Sequence, residues 1–87
     1  MEIEVRKPTS QEEAELRTCP IWEKEPSTFP WHYDEQETCL VLEGEVEVQA
    51  GDQRVNLGPG DYAVFPRGLD CTWTVKQPVR KHYKLGR

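Results

Sequence analysis

Apolar and polar residues alternate with a period of two through most of this chain, the spacing of half-buried strands rather than of helices. Ile3 and Val5 alternate with charged neighbours, which predicts an opening strand that Pro8 ends. Thr9 or Ser10 then reads as a helix N-cap, with Glu13 three residues after Ser10 completing a capping-box pattern and a short helix running to about Arg17. Only Ala14 and Leu16 are apolar there, so the helix is expected to be a surface turn. From Ile21 onward short β-like segments recur every eight to twelve residues or so between Pro, Gly and Asp, a rhythm of antiparallel sandwiches and barrels. Strands are expected near 21–25, 29–33, 38–42, 45–49, 54–57, 62–65, 71–75 and 79–84, with Gly44 separating the third from the fourth. Ala50-Gly51-Asp52, Gly58-Pro59-Gly60-Asp61 and Pro66-Arg67-Gly68 supply turn chemistry between them.

The period also sorts side chains by face, since successive strand residues point oppositely. Glu37, Cys39 and Val41 form one set, and Thr38, Leu40 and Leu42 the other. Both are largely apolar, as expected of a strand covered on two sides. Glu37 is the exception, because a carboxylate aimed at an apolar interior is costly without a partner. Val46 and Val48 alternate with Glu45 and Glu47 and predict a strand wet on one face. Cys71, Trp73 and Val75 share a face, so a Cys71 that lined the barrel would put Trp73 deeper, as a pocket floor. The expected core includes Val41, Val46, Val48, Val64, Phe65, Trp73 and Val75.

At 87 residues the chain makes one domain, divided into an N-terminal strand and short helix over 1–20 and a barrel over 21–87. Its apolar fraction of 36% must offset an ordering cost of about 1.5 kcal/mol per residue. That thin margin gives a reason to bury more surface in a homodimer, through the N-terminal strand, Trp22 and Trp31. The net charge of −5 repels phosphate backbones, so nucleic acid is not an expected partner. No apolar run, Cys39 to Leu42 included, exceeds four residues, far short of the roughly 18 of a membrane span. The acidic start Met1-Glu2-Ile3-Glu4 does not read as a signal peptide, which predicts a cytoplasmic protein. Three cysteines, Cys19, Cys39 and Cys71, lack a paired spacing and are expected as free thiols. Residues 25–53 hold eight acids and no Lys or Arg, while 76–87 hold five basic residues and no acid. The basic tail is therefore expected to pair with acidic strands, in the fold or across a dimer.

The segment from Phe29 to Gly44 resembles the first motif of the cupins, in which two histidines one residue apart are followed by a glutamate and, six residues on, a glycine. His32 stands at the second histidine, Glu37 at the glutamate and Gly44 at the glycine, and Pro30 occupies the first histidine's place. Gly60, Pro66 and Gly68 fit the framework of the second cupin motif, with Cys71 where its histidine belongs. Pro20 to Glu25 and Pro78 to Tyr83 look like the small one-domain cupins allied to the ureidoglycine aminohydrolase cupin domain and the ethanolamine-utilisation cupin. The resemblance implies an all-β antiparallel jelly-roll barrel with one short N-terminal helix and a site in its mouth.

Cupin sites commonly hold iron, manganese, nickel or zinc through three histidines and a glutamate. Here the resemblance leaves His32, Glu37 and Cys71 as the candidate ligands of a divalent metal, a mixed donor set that zinc or ferrous iron would accept. The other reading is a metal-free site in which Glu37 is hydrogen-bonded by His32, Tyr33 or another barrel residue. The chain is thus expected to bind or transform a small polar molecule in the barrel mouth, with Glu37 or His32 as acid or base if it is catalytic. Its runner-up is a metal-free barrel serving as a binding or assembly module. Trp73, Cys39, Tyr33 and His82 complete the candidate pocket, each with a plain structural reading beside it: core packing for Trp73 and Cys39, packing or a partner contact on the side opposite His32 for Tyr33 unless the strand ends before it, and a surface or structural role for His82.

Overall fold

The computed structural model describes residues 1–86 and contains seven strands and one helix, in the order β1 (Glu4–Arg6), α1 (Ser10–Leu16), β2 (Ile21–Lys24), β3 (Ser27–His32), β4 (Glu37–Ala50), β5 (Gln53–Leu57), β6 (Tyr62–Phe65) and β7 (Asp70–Leu85). Every strand pairing is antiparallel. The segments expected as four short strands merge into two long ones, β4 and β7, which pair along nearly their whole length. Each is bent in the middle and so belongs to two layers. In one layer the order is β1-β6-β4-β7-β2, using Glu37 to Val41 of β4 and Val79 to Leu85 of β7. In the other, β5 pairs with Val46 to Ala50 of β4 and β3 with Asp70 to Val75 of β7. The result is an antiparallel jelly roll.

Gly44 marks the bend. Register shifts lie between Val41 and Val46, and Gly44 has φ of +101°. A Cβ there would stand 2.4 Å from the Pro78 carbonyl oxygen and 2.6 Å from the Val79 Cα, so only a residue without one lets the two long strands cross the corner so closely. The irregularity also switches parity. Glu37, Cys39 and Val41 face inward before it, and Val46, Val48 and Ala50 after it.

Between the layers lies a core of Cys39, Val41, Val46, Val48, Phe65, Trp73 and Val75 with their neighbours. Val64, expected with them, points to the other face of the first layer and packs beside Leu16, Leu40 and Tyr62. Leu16 is fully buried there, so α1 is not a loose surface turn but the cover over that face. Its N-cap is Thr9, whose hydroxyl accepts from the Glu12 amide while the Glu12 carboxylate accepts from the Thr9 amide. The capping box is thus Thr9 and Glu12 rather than Ser10 and Glu13. Arg6 grips Glu12 with two 2.7 Å bonds and holds its carboxyl down at about 2.

The basic tail finds its acids within the fold. Lys76 lies near Glu47, Arg80 spans Glu23 and Glu43, Lys81 meets Glu37 and Lys84 meets Glu15. Arg87, the last basic residue counted from sequence, lies outside the described residues. Ile3 and Trp22, expected to carry self-association, pack against the core, whereas Trp31 is 49% exposed. Among the described residues no helix is long and apolar enough to cross a membrane.

Candidate functional site

A cavity of about 340 Å³ opens at the end of the barrel where β3 runs into β4. Its walls are aromatic, supplied by Trp22 of β2, Phe29 and Trp31 of β3, Tyr33, Trp73 of β7 and Tyr83. Trp22, Phe29, Trp31, Tyr33 and Trp73 pack on one another edge-on or stacked. Phe29 lies parallel to Trp73 with centroids 6.3 Å apart, and Trp22 meets Trp73 edge-on at 6.0 Å. At the rim stand His32, Asp34 and Glu35.

The floor carries charge. Lys81 Nζ donates to Glu37 Oε2 at 2.5 Å, and both side chains are buried, 5% and 10% exposed respectively. The ammonium sits 4.7 Å from the centroid of Trp73 and 5.1 Å from that of Trp22, with Phe65 at 6.0 Å. Ring faces attract a cation, so Lys81 is held by a carboxylate and an aromatic cage together. This answers the question of how a carboxylate can enter an apolar interior: its partner is a barrel residue on the adjacent strand. Beside the pair, the Trp73 indole N–H donates to the Tyr33 hydroxyl at 3.1 Å. Burial, with the nearby Glu37 charge second, pushes the Tyr33 phenol far above its ordinary range, so it stays protonated.

The expected metal ligands do not converge. Strand register explains why. In the β3–β7 ladder Trp31 lies opposite Cys71 and His32 opposite Asp70, so histidine and cysteine fall on opposite faces. His32 is exposed and its Nδ1 lies 2.7 Å from Asp70 Oδ1, with Nε2 3.6 Å from Asp34. Cys71 points inward, buried, its thiol 3.7 Å from the Trp31 carbonyl oxygen, and does not line the cavity. Burial first, then the charge of Asp70, raises its pKa to about 11, the opposite of what a thiolate ligand needs. Glu37 is engaged by Lys81. Among the described residues no group of three or more His, Cys, Asp or Glu side chains is arranged to hold a metal ion. The donor set therefore does not fit the metal that the cupin resemblance implies.

Of the remaining candidates, Trp73 and Tyr33 line the cavity and Glu37 lies at its floor. Cys39 is fully buried in the core beneath, with its pKa raised by burial. His82 points to the opposite face of β7, where its Nδ1 lies 2.9 Å from the Cys19 carbonyl oxygen behind the helix. Lys81 is the residue that sequence reasoning missed. The signal was the alternation Val79, Lys81, Tyr83, which places a lysine at an inward position of the last strand.

The profile of the EutQ-like cupin domain matches residues 11–83. A DUF861-family protein of Thermotoga maritima is 48% identical, with 97% of this chain and 99% of that one aligned and a TM-score of 0.90. The EutQ protein of Clostridium difficile shares 20% identity at a TM-score of 0.72, and a putative ethanolamine utilization protein Q of Salmonella typhimurium 19% at 0.70. In both, 97% of this chain aligns with about two thirds of the other (67% and 68%), a likeness of fold alone. Among curated proteins no sequence matches.

Proposed function

The chain belongs to the EutQ-like cupin domain family, and from that premise we propose that it binds a small polar molecule in the barrel mouth, on a floor made by Glu37 and Lys81 where other cupins place a metal. The observation that carries this reading is the buried ion pair at the base of an open aromatic cavity. A charge pair is costly to bury and contributes little net stability compared with an apolar pair of the same volume. Its position at the end of a cavity, rather than deep between the layers, gives that cost a use. Aromatic walls offer a ligand apolar contact, while the pair fixes its orientation, the usual division of labour in small-molecule sites.

His32 has a different part. Lying on the rim between Asp70 and Asp34, it is placed to meet the outer end of a bound molecule, not to share a metal with Glu37. The reading is tested by a fragment screen on the isotopically labelled protein, following the indole N–H resonances of Trp22, Trp31 and Trp73. Bound fragments are expected to shift these three together. A screen whose hits all map to other surfaces, or that yields none at millimolar concentration, contradicts it.

A further inference from the structure

Resting on the reading of this cavity as a ligand site, we infer that the molecule it takes is uncharged and planar and presents a cis-amide edge, an N–H beside a C=O, as cyclic amides, imides and pyrimidinones do. The inference follows from what the floor has left to offer. Lys81 gives one of its three N–H donors to Glu37 Oε2 and presents its charge to the Trp22 and Trp73 faces. Glu37 Oε1 makes no hydrogen bond among the described residues, where no fully buried side-chain polar atom lacks a partner, so this oxygen retains access to the cavity that Glu37 lines. One acceptor and one donor-rich ammonium thus stand side by side. Their complement is a donor and an acceptor side by side on the ligand.

Charge decides the rest. The ammonium and carboxylate cancel, so the floor holds no excess charge to compensate an anion or a cation brought out of water. The acids at the rim do not alter this: the Asp34 side chain is 94% exposed, and water and salt screen it from a ligand on the floor. Shape points the same way. Trp22, Phe29, Trp31, Tyr33 and Trp73 all line the cavity, and ring surface of this extent favours a flat molecule with faces to contact.

Four probes separate the alternatives in titrations of the intact wild-type protein at pH 7, read from the three indole resonances. 2-Pyridone carries the cis-amide edge; N-methyl-2-pyridone lacks its donor; benzoate and benzylammonium carry charge on a ring of similar size. The expected result is that 2-pyridone binds at least fivefold more tightly than each of the other three. A smaller gap to N-methyl-2-pyridone shows that the donor is not read, and overturns the inference. So does a charged probe that binds as tightly as 2-pyridone, and either outcome leaves the cavity as a ligand site with a different selectivity. If none of the four moves the indole resonances, the inference falls, and the broader fragment screen alone decides whether the cavity binds anything.

Discussion

Lys81 pairs in register with Val41, and Glu37 pairs with Leu85, so the 2.5 Å bond between Lys81 and Glu37 runs diagonally past the Cys39–Tyr83 pair on the inner face of two bent strands. Removing one partner strands a charge in an aromatic interior. Lys81→Met and Glu37→Leu are each expected to lower stability by about 3–5 kcal/mol. The double variant should recover most of that loss, since a methionine beside a leucine leaves nothing unpaired. Urea unfolding of all four proteins checks it, and single variants as stable as wild type would show that the pair is not buried as described.

The corner between the two layers makes a second prediction. Gly44→Ala combines a positive φ with a Cβ 2.4 Å from the Pro78 oxygen, whereas Gly51, at φ +58° in the β4–β5 turn, has open space around it. Gly51→Ala is expected to cost about 1 kcal/mol for its left-handed backbone alone. Gly44→Ala should lower the melting temperature several times as far, because the clash is with backbone that cannot swing away. Similar losses at the two positions would mean that the corner yields.

The thiols respond to alkali. Folding raises the Cys71 pKa from its ordinary 9.0 to about 11, and Cys39 and Tyr33 move in the same direction through burial. A proton held more tightly in the folded state stabilises fully below the unfolded pKa and is lost as pH rises through the folded one. The contribution of these groups to stability should therefore be level up to about pH 9 and decline above it, the Cys71 share being lost between about 9 and 11. Iodoacetamide at pH 8 should reach Cys19, which is partly exposed, well before Cys39 or Cys71. Equal alkylation of all three in the folded protein would contradict their burial.

How far the sequence foretold this site is clearest at four residues. Period two placed Glu37 and Trp73 inward, and both are buried, Trp73 as a wall of the cavity rather than its floor, because alternation is set by the backbone and survives any change of partner. His32 and Cys71 were joined by motif position, but motif position does not fix relative register, and the β3–β7 ladder puts them on opposite faces. Lys81 escapes a reading that takes the basic tail as a block of charge to be paired with acids, although the alternation Val79, Lys81, Tyr83 turns it inward and its pairing opposite Val41 sets it beneath the cavity. The two long strands were cut in half for a related reason. Gly44 separates two of the expected strands, whereas in the fold it meets Pro78 at a bend that both long strands cross.

The missing ligand set has its own test. After loading with zinc or ferrous iron and dialysis, the wild-type protein is expected to retain well under one metal per chain by elemental analysis, and His32→Ala to behave the same. Retention of one equivalent that is lost in Glu37→Gln would show that Glu37 leaves Lys81 to bind metal.

The central claim is that ligands seat on the Glu37–Lys81 floor, and the neutral double variant tests it most directly. Fragments that bind the wild-type cavity should be titrated into the protein carrying both Lys81→Met and Glu37→Leu, whose strand resonances report whether the barrel is intact. With the barrel intact, a loss of at least tenfold in affinity is predicted, since about two hydrogen bonds to charged groups disappear from a desolvated site. Affinities unchanged from wild type would contradict the account and leave the ion pair as a structural feature of the barrel.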